Sequence, residues 1–266
     1  MEEFVYITIG LGFIFLMNCL GSAVVFFFRK SNSIIVRTIF LGFCAGIMIS
    51  AAVFGLLVPA IKEASDFTLP AWIPTSGGFI IGVLFLYLLD KLLPHLHPES
   101  NTTEGISSSI KRTSLLVSAV AIHHIPEGMA VGLSFIIAIQ SGDPAIYASA
   151  IALCIGIGIQ SFPEGAAISI PLKQEGFSTL KSFIFGCLSG ITGPIFGLIM
   201  IVVGSLLGTI ITPYMPWLLS FAAGAMMYVV IEELIPESHI GEHSNYGTIS
   251  VMVGFVVMMI LEIILV

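Results

Sequence analysis

Residues Phe4 to Phe28, FVYITIGLGFIFLMNCLGSAVVFFF, run for 25 positions without a charged side chain. A helix needs about 20 apolar residues to cross the hydrocarbon core of a bilayer, so this stretch is long enough to span one. The chain opens Met1-Glu2-Glu3 and lacks a positive region ahead of the apolar run, so the stretch reads as a retained span rather than an export signal. Seven further stretches qualify, at roughly 38–61, 71–90, 113–140, 145–172, 182–208, 211–236 and 246–266, beside the first at 4–28. The longest polar connection is 91–112, KLLPHLHPESNTTEGISSSIKR. The predicted fold is an all-α integral membrane protein, one polytopic domain over residues 1–266 built as an eight-transmembrane-helix bundle.

Composition agrees. Of 266 residues, 57% are hydrophobic and 9% charged, and mean hydropathy is +1.08. A soluble domain carries about 25% charged residues, so a cytosolic enzyme and a secreted disulfide scaffold are excluded. Sixteen acids against nine bases give a net charge of −7, with no basic footprint for nucleic acid. Cys19, Cys44, Cys154 and Cys187 fall one to an apolar segment, without a C-x-x-C pair. They read as small core residues.

Orientation follows from Lys and Arg in the connections. The first holds Arg29, Lys30 and Arg37, the third Lys91, Lys111 and Arg112, and the fifth Lys173 and Lys181. The even connections hold only Lys62. Odd connections therefore face the cytoplasm, 91–112 among them, and both termini lie outside, as in a multi-pass protein of the cell (inner or plasma) membrane.

Two motifs repeat. His123-His124-Ile125-Pro126-Glu127-Gly128 in span four returns 37 residues later as Gln160-Ser161-Phe162-Pro163-Glu164-Gly165 in span five. Span two carries FCAGIM at 43–48 and LLVP at 56–59, and span seven carries FAAGAM at 221–226 and ELIP at 233–236. An odd and an even span sharing a motif run in opposite directions, which predicts inverted internal repeats of the kind transporters use.

Charge inside the spans decides function. Glu127 and Glu164 lie at mid-span, with no Lys or Arg at comparable depth. A carboxylate there costs about 2.5 to 3.5 kcal/mol on insertion scales. Protonation, a water-filled cavity or a bound cation would offset this. Spacing favours the cation: His123 and Glu127 are i and i+4, one turn apart on one helix face, and Gln160 and Glu164 repeat that spacing. An imidazole nitrogen, two carboxylates and an amide oxygen suit a borderline divalent ion such as zinc or ferrous iron. Pro126 and Pro163 cannot donate to the carbonyls of Ile122 and Ile159, so each helix is expected to kink beside its ligands. Met48 offers a thioether or fills a gap, and Glu232 and Glu233 in span seven suit a vestibule. His95 and His97 in the long connection collect metal or are simply solvated. Glu262 is expected at the lipid headgroups.

With these motifs in view, the chain resembles the ZIP family of zinc and iron permeases, most closely its prokaryotic branch. HHIPEG, QSFPEG and FAAGAMMYVVIEELIPESH carry the resemblance, which covers essentially the whole chain. It implies movement of divalent metal toward the cytoplasm through a site between spans four and five. His123, Glu127, Gln160, Ser161 and Glu164 would surround the ion, with Met48 approaching from span two and Glu233 at a mobile neighbouring position. It also implies that spans one, four, five and six slide against a scaffold of two, three, seven and eight. Two departures stand out. Many relatives carry Asn where this chain has His124, and those holding two metals place acids at the positions of Ser161 and Gly193. One metal is therefore expected here, His124 partly replacing a missing acid or turning away to bond a neighbouring span.

The expected cargo is Zn2+, with Fe2+, Mn2+ and Cd2+ as alternatives, and no cofactor is expected. The expected partners are the metal ion and the bilayer, with a homodimer open and no nucleic acid. Catalysis is not expected: a buried metalloprotease would need H-E-x-x-H, which is missing, and a passive receptor leaves the buried carboxylates without a purpose.

Overall fold

A computed structural model describes residues 2–27, 34–65, 69–92, 95–96, 103–104, 112–174, 176–238 and 244–265. Helices α1 (Glu2–Ala23), α2 (Ile34–Ser50), α3 (Val58–Ala64), α4 (Trp72–Leu92), α5 (Arg112–Ser141) and α6 (Pro144–Gln174) are followed by α7 (Thr179–Ser189) and α8 (Thr192–Leu207). The last are α9 (Met215–Val229), α10 (Ile235–Ser238) and α11 (Ser244–Leu265). Among the described residues seven helical runs are long and apolar enough to cross a bilayer. Helix α5, 30 residues long, covers the span expected at 113–140. His95–Leu96 and Thr103–Glu104 pair as a two-residue antiparallel ladder in the third connection. His97, His239 and His243 lie outside the described residues.

Helix is the fold that satisfies every backbone group within its own segment when water is absent. Hydroxyls follow the same economy. Ser134 and Ser161 donate to the carbonyls of Ala130 and Ile157, four residues back. Leu206 and Ile264, 79% and 74% exposed, belong to faces that hydrocarbon covers. The buried core instead is rich in small residues, Ala45, Ala51, Ala52, Ala222, Ala223 and Ala225 among them.

Small residues matter because lipid supplies no hydrophobic drive between helices; close backbone approach does. Helices pair as α1 with α6, α2 with α11, α4 with α9 and α5 with α8. Three of these pairs meet reciprocally. A Cβ on Gly46 would strike the Val251 carbonyl, and one on Gly254 the Phe43 carbonyl. Gly82 and Gly224 stand likewise against the carbonyls of Phe221 and Phe79, and Gly21 and Gly165 against those of Phe162 and Asn18. Each contact joins a glycine to a carbonyl three residues before the opposing glycine. In the fourth pair Gly128 abuts the Gly193 carbonyl. Exchanging span one with six, two with seven, three with eight and four with five maps the four pairs onto one another, as the sequence repeats require.

The repeat extends to an irregularity. Spans two and seven each widen into a π-helical segment, Ala51–Leu57 and Val230–Leu234, just before Pro59 and Pro236. Span six differs from the continuous helix expected over 182–208. It breaks at Gly190 and Ile191 into α7 and α8, because Gly190 ends one helix and Pro194 suits only the first turn of the next. Helices α5 and α6 remain helical through Pro126 and Pro163.

These contacts make a sharp contrast testable. Gly224→Ala drives a methyl into the Phe79 backbone and should cost about 1–3 kcal/mol, the range for overpacking. Nothing lies within 4 Å of a Cβ on Gly12, so Gly12→Ala should leave stability unchanged or slightly raised. Melting curves of both variants in one detergent compare them; equal midpoints would refute the close-packed pairing.

Candidate metal centre

Helices α5 and α6 lie side by side, and the two repeated motifs meet between them. His124, Glu127 and Glu164 each offer a ligand atom, and these atoms lie within 4.8 Å of one another. His124 Nε2 is 3.2 Å from Glu164 Oε2 and 4.0 Å from Glu127 Oε2. Gln160 Nε2 donates to Glu127 Oε1 at 2.6 Å. All four side chains are buried, Glu164 the most accessible at 8%. Glu127 Oε2 and Gln160 Oε1 have no hydrogen-bond donor among the described residues.

The chemistry of this group is that of a cation site. Two carboxylates within 5 Å repel by about 3 to 4 kcal/mol at an effective dielectric of 20, and one divalent ion between them reverses the sign. The Gln160 amide settles which oxygens are left over. It holds Glu127 Oε1, so Oε2 faces His124 and Glu164.

The histidine of this group is His124. Its ring turns to both carboxylates, Glu127 on its own helix and Glu164 on the neighbouring span, because i and i+3 share a helix face much as i and i+4 do. The side chain of His123 lies outside the described residues. Ser161 is buried with its hydroxyl given to the Ile157 carbonyl at 2.7 Å, along its own helix. Gly193 sits beside His124: a Cβ there would lie 3.6 Å from the His124 carbonyl oxygen. Met48 is fully buried in α2, one turn after Cys44. The Cys44 thiol donates to the Gln160 carbonyl at 3.5 Å, which brings span two against the site. Glu233 is half-buried in the π segment of span seven, while Glu232 is exposed.

Glu262 is a correction. Expected at the headgroups, its side chain is 5% exposed and turned into the protein, where Ser149 Oγ donates to Oε2 at 3.5 Å. Position near the end of a span suggested the headgroup level; the face of α11 it occupies is legible only in three dimensions.

Known proteins share this sequence over much of its length. The profile of the family described as ZIP Zinc transporter matches residues 97–262. "Zinc transporter ZIP11" of Homo sapiens is 33% identical, covering 96% of this chain and 96% of its own length. "Zinc transporter GufA" of Myxococcus xanthus is 32% identical over 79% of each chain. "Zinc transporter ZIPB" of Bordetella bronchiseptica is 31% identical over 84% of this chain and 69% of its own. Family match, seven helical runs among the described residues long and apolar enough to cross a bilayer, and a buried His–Glu–Glu group converge on one conclusion: the chain belongs to the ZIP family and is a multi-pass membrane transporter of divalent metal, not an enzyme.

Proposed function

We propose that this protein carries zinc into the cytoplasm through the group between spans four and five, with ferrous iron, manganese and cadmium as further cargo. The observation that carries the reading is the gathering of His124, Glu127 and Glu164 within 4.8 Å at mid-span. The zinc transporters among its relatives support the choice of metal. Gln160 fixes Glu127, and the family resemblance adds His123 and Ser161 around the ion, Met48 from span two and Glu233 at a neighbouring position. The excess of Lys and Arg in odd connections argues for outside termini in the cell membrane.

Helix pairing supports the way the metal would move. Spans one, four, five and six form one set of neighbours, through α1·α6, α5·α8, α5·α6 and α6·α7. Spans two, three, seven and eight form the other, through α2·α11 and α4·α9, with α9 against the π segment of span two. Both carboxylates and His124 belong to the first set. Sliding of that set against the second would carry an ion across the bilayer without separating its ligands.

Zinc uptake into liposomes holding the purified protein, under an inward zinc gradient, tests the reading. Saturable uptake above that of empty liposomes, with competition by cadmium, is expected; uptake indistinguishable from empty liposomes would overturn it.

A further inference from the structure

Span six breaks at Gly190 and Ile191, and a helix end leaves its last carbonyls without partners inside the helix. Polar side chains take them up. Asn18 Nδ2 of α1 and Ser189 Oγ both donate to the Gly186 carbonyl, at 2.9 and 2.7 Å. Side chains at Gly186 and Gly190 would collide with Ser22 and Asn18, so α1 lies close against the break. Thr192, the first residue of α8, shares its single hydroxyl proton between two helices. It donates to the Ser189 carbonyl of α7 at 3.1 Å and to the Ala121 carbonyl of α5 at 3.0 Å. Of these three donors only Thr192 reaches the helix that carries His124 and Glu127.

Ala121 lies three residues before His124. The residue after Thr192 is Gly193, which stands beside the His124 carbonyl, and Gly128, directly after Glu127, abuts the Gly193 carbonyl. Helix α8 therefore holds α5 on both sides of the turn His124–Glu127. That turn gains from outside support. Pro126 has no N–H to give the Ile122 carbonyl, so one rung of the helix is missing within it. The His124 ring must also stay 3.2 Å from Glu164 on another helix, and rotation of α5 about its axis would lengthen that distance.

We propose that Thr192 is a positioning residue for metal binding: its hydroxyl ties the break in span six to α5 and so sets how His124 meets Glu127 and Glu164. The proposal rests on the reading of that group as the metal site. Thr192 supplies no ligand atom and no charge. Groups that only orient ligands change metal affinity by about 10 to 100-fold. Without the hydroxyl, α8 keeps its close packing at Gly128 and loses its tether at Ala121, so the fold persists while the ligands are held less well.

Isothermal titration of zinc into purified, chelator-stripped protein in detergent tests this, with melting curves on the same samples to establish that each variant is folded. Thr192→Val keeps the shape and removes the hydroxyl, so its zinc Kd should rise about tenfold. Thr192→Ser restores the hydroxyl and should bind like wild type. So should Ser134→Ala, which removes an α5 hydroxyl bonded to the Ala130 carbonyl of its own helix. If Thr192→Val does not fold, Thr192→Ala carries the same expected rise. Wild-type affinity in Thr192→Val, a loss in Thr192→Ser equal to that of the valine variant, or an equal loss in Ser134→Ala would overturn the positioning role alone. Wild-type protein that binds no zinc would overturn the metal site and this proposal with it.

Discussion

Glu164→Ala should abolish saturable zinc uptake, and Glu127→Ala should do the same. Each removes one of two negative charges that a buried divalent ion needs, and each leaves the other carboxylate next to His124 with no partner for the cation. Even the outer hydrogen-bond partners of a metal site change affinity by about 10 to 100-fold, so loss of a charged ligand should exceed 100-fold in uptake at low micromolar zinc. Glu127→Gln separates charge from shape. It keeps an oxygen for the Gln160 amide, which now bonds Glu127 Oε1 at 2.6 Å, and loses the charge, so it should fail as completely as the alanine variant. Uptake per inserted protein, with insertion checked by quantifying protein in the liposomes, is the measurement. Wild-type rates in Glu164→Ala would remove the site from the account.

A second large effect concerns stoichiometry. Purified protein should hold one tightly bound zinc per chain, not two. Glu127 and Glu164 balance one divalent cation, whereas two cations would leave about two uncompensated charges in a buried setting. The positions that could add charge do not: the Ser161 hydroxyl is spent on its own helix, and Gly193 offers no side chain. His124 is already part of the first site, 3.2 Å from Glu164 Oε2, so it is not free to build a second. Elemental analysis after modest dialysis should approach one zinc per chain and fall toward zero in Glu127→Ala. Two zinc ions of equal affinity would show that ligands beyond this group take part.

Much of this was legible in the chain itself. Charge-free runs of about 20 residues admit one structure in hydrocarbon, and among the described residues seven helical runs are long and apolar enough to cross a bilayer. The repeated motif located both carboxylates and Gln160. Rotation about a helix axis was harder to read. That His124 meets both carboxylates depends on rotation about the axis of α5, and beside another polar residue no hydrophobic pattern signals it. Glu262 fails for the same reason, since depth along α11 says nothing of which face it occupies. The approach of α1 to α7 joins Asn18 to Gly186, 168 residues apart. Glycine at 186 and 190 was the one sequence trace of that approach, and glycine is common in membrane helices.

The central claim is that a single divalent ion binds between α5 and α6 on His124, Glu127 and Glu164. Anomalous X-ray scattering at the zinc edge, from crystals grown with zinc, tests this most directly. One strong peak should appear, bonded to His124 Nε2 and to oxygens of both carboxylates at the roughly 2.0–2.2 Å of zinc–nitrogen and zinc–oxygen bonds. Zinc bound only elsewhere, with His124 still closed on Glu164 and no peak between the two helices, would contradict it.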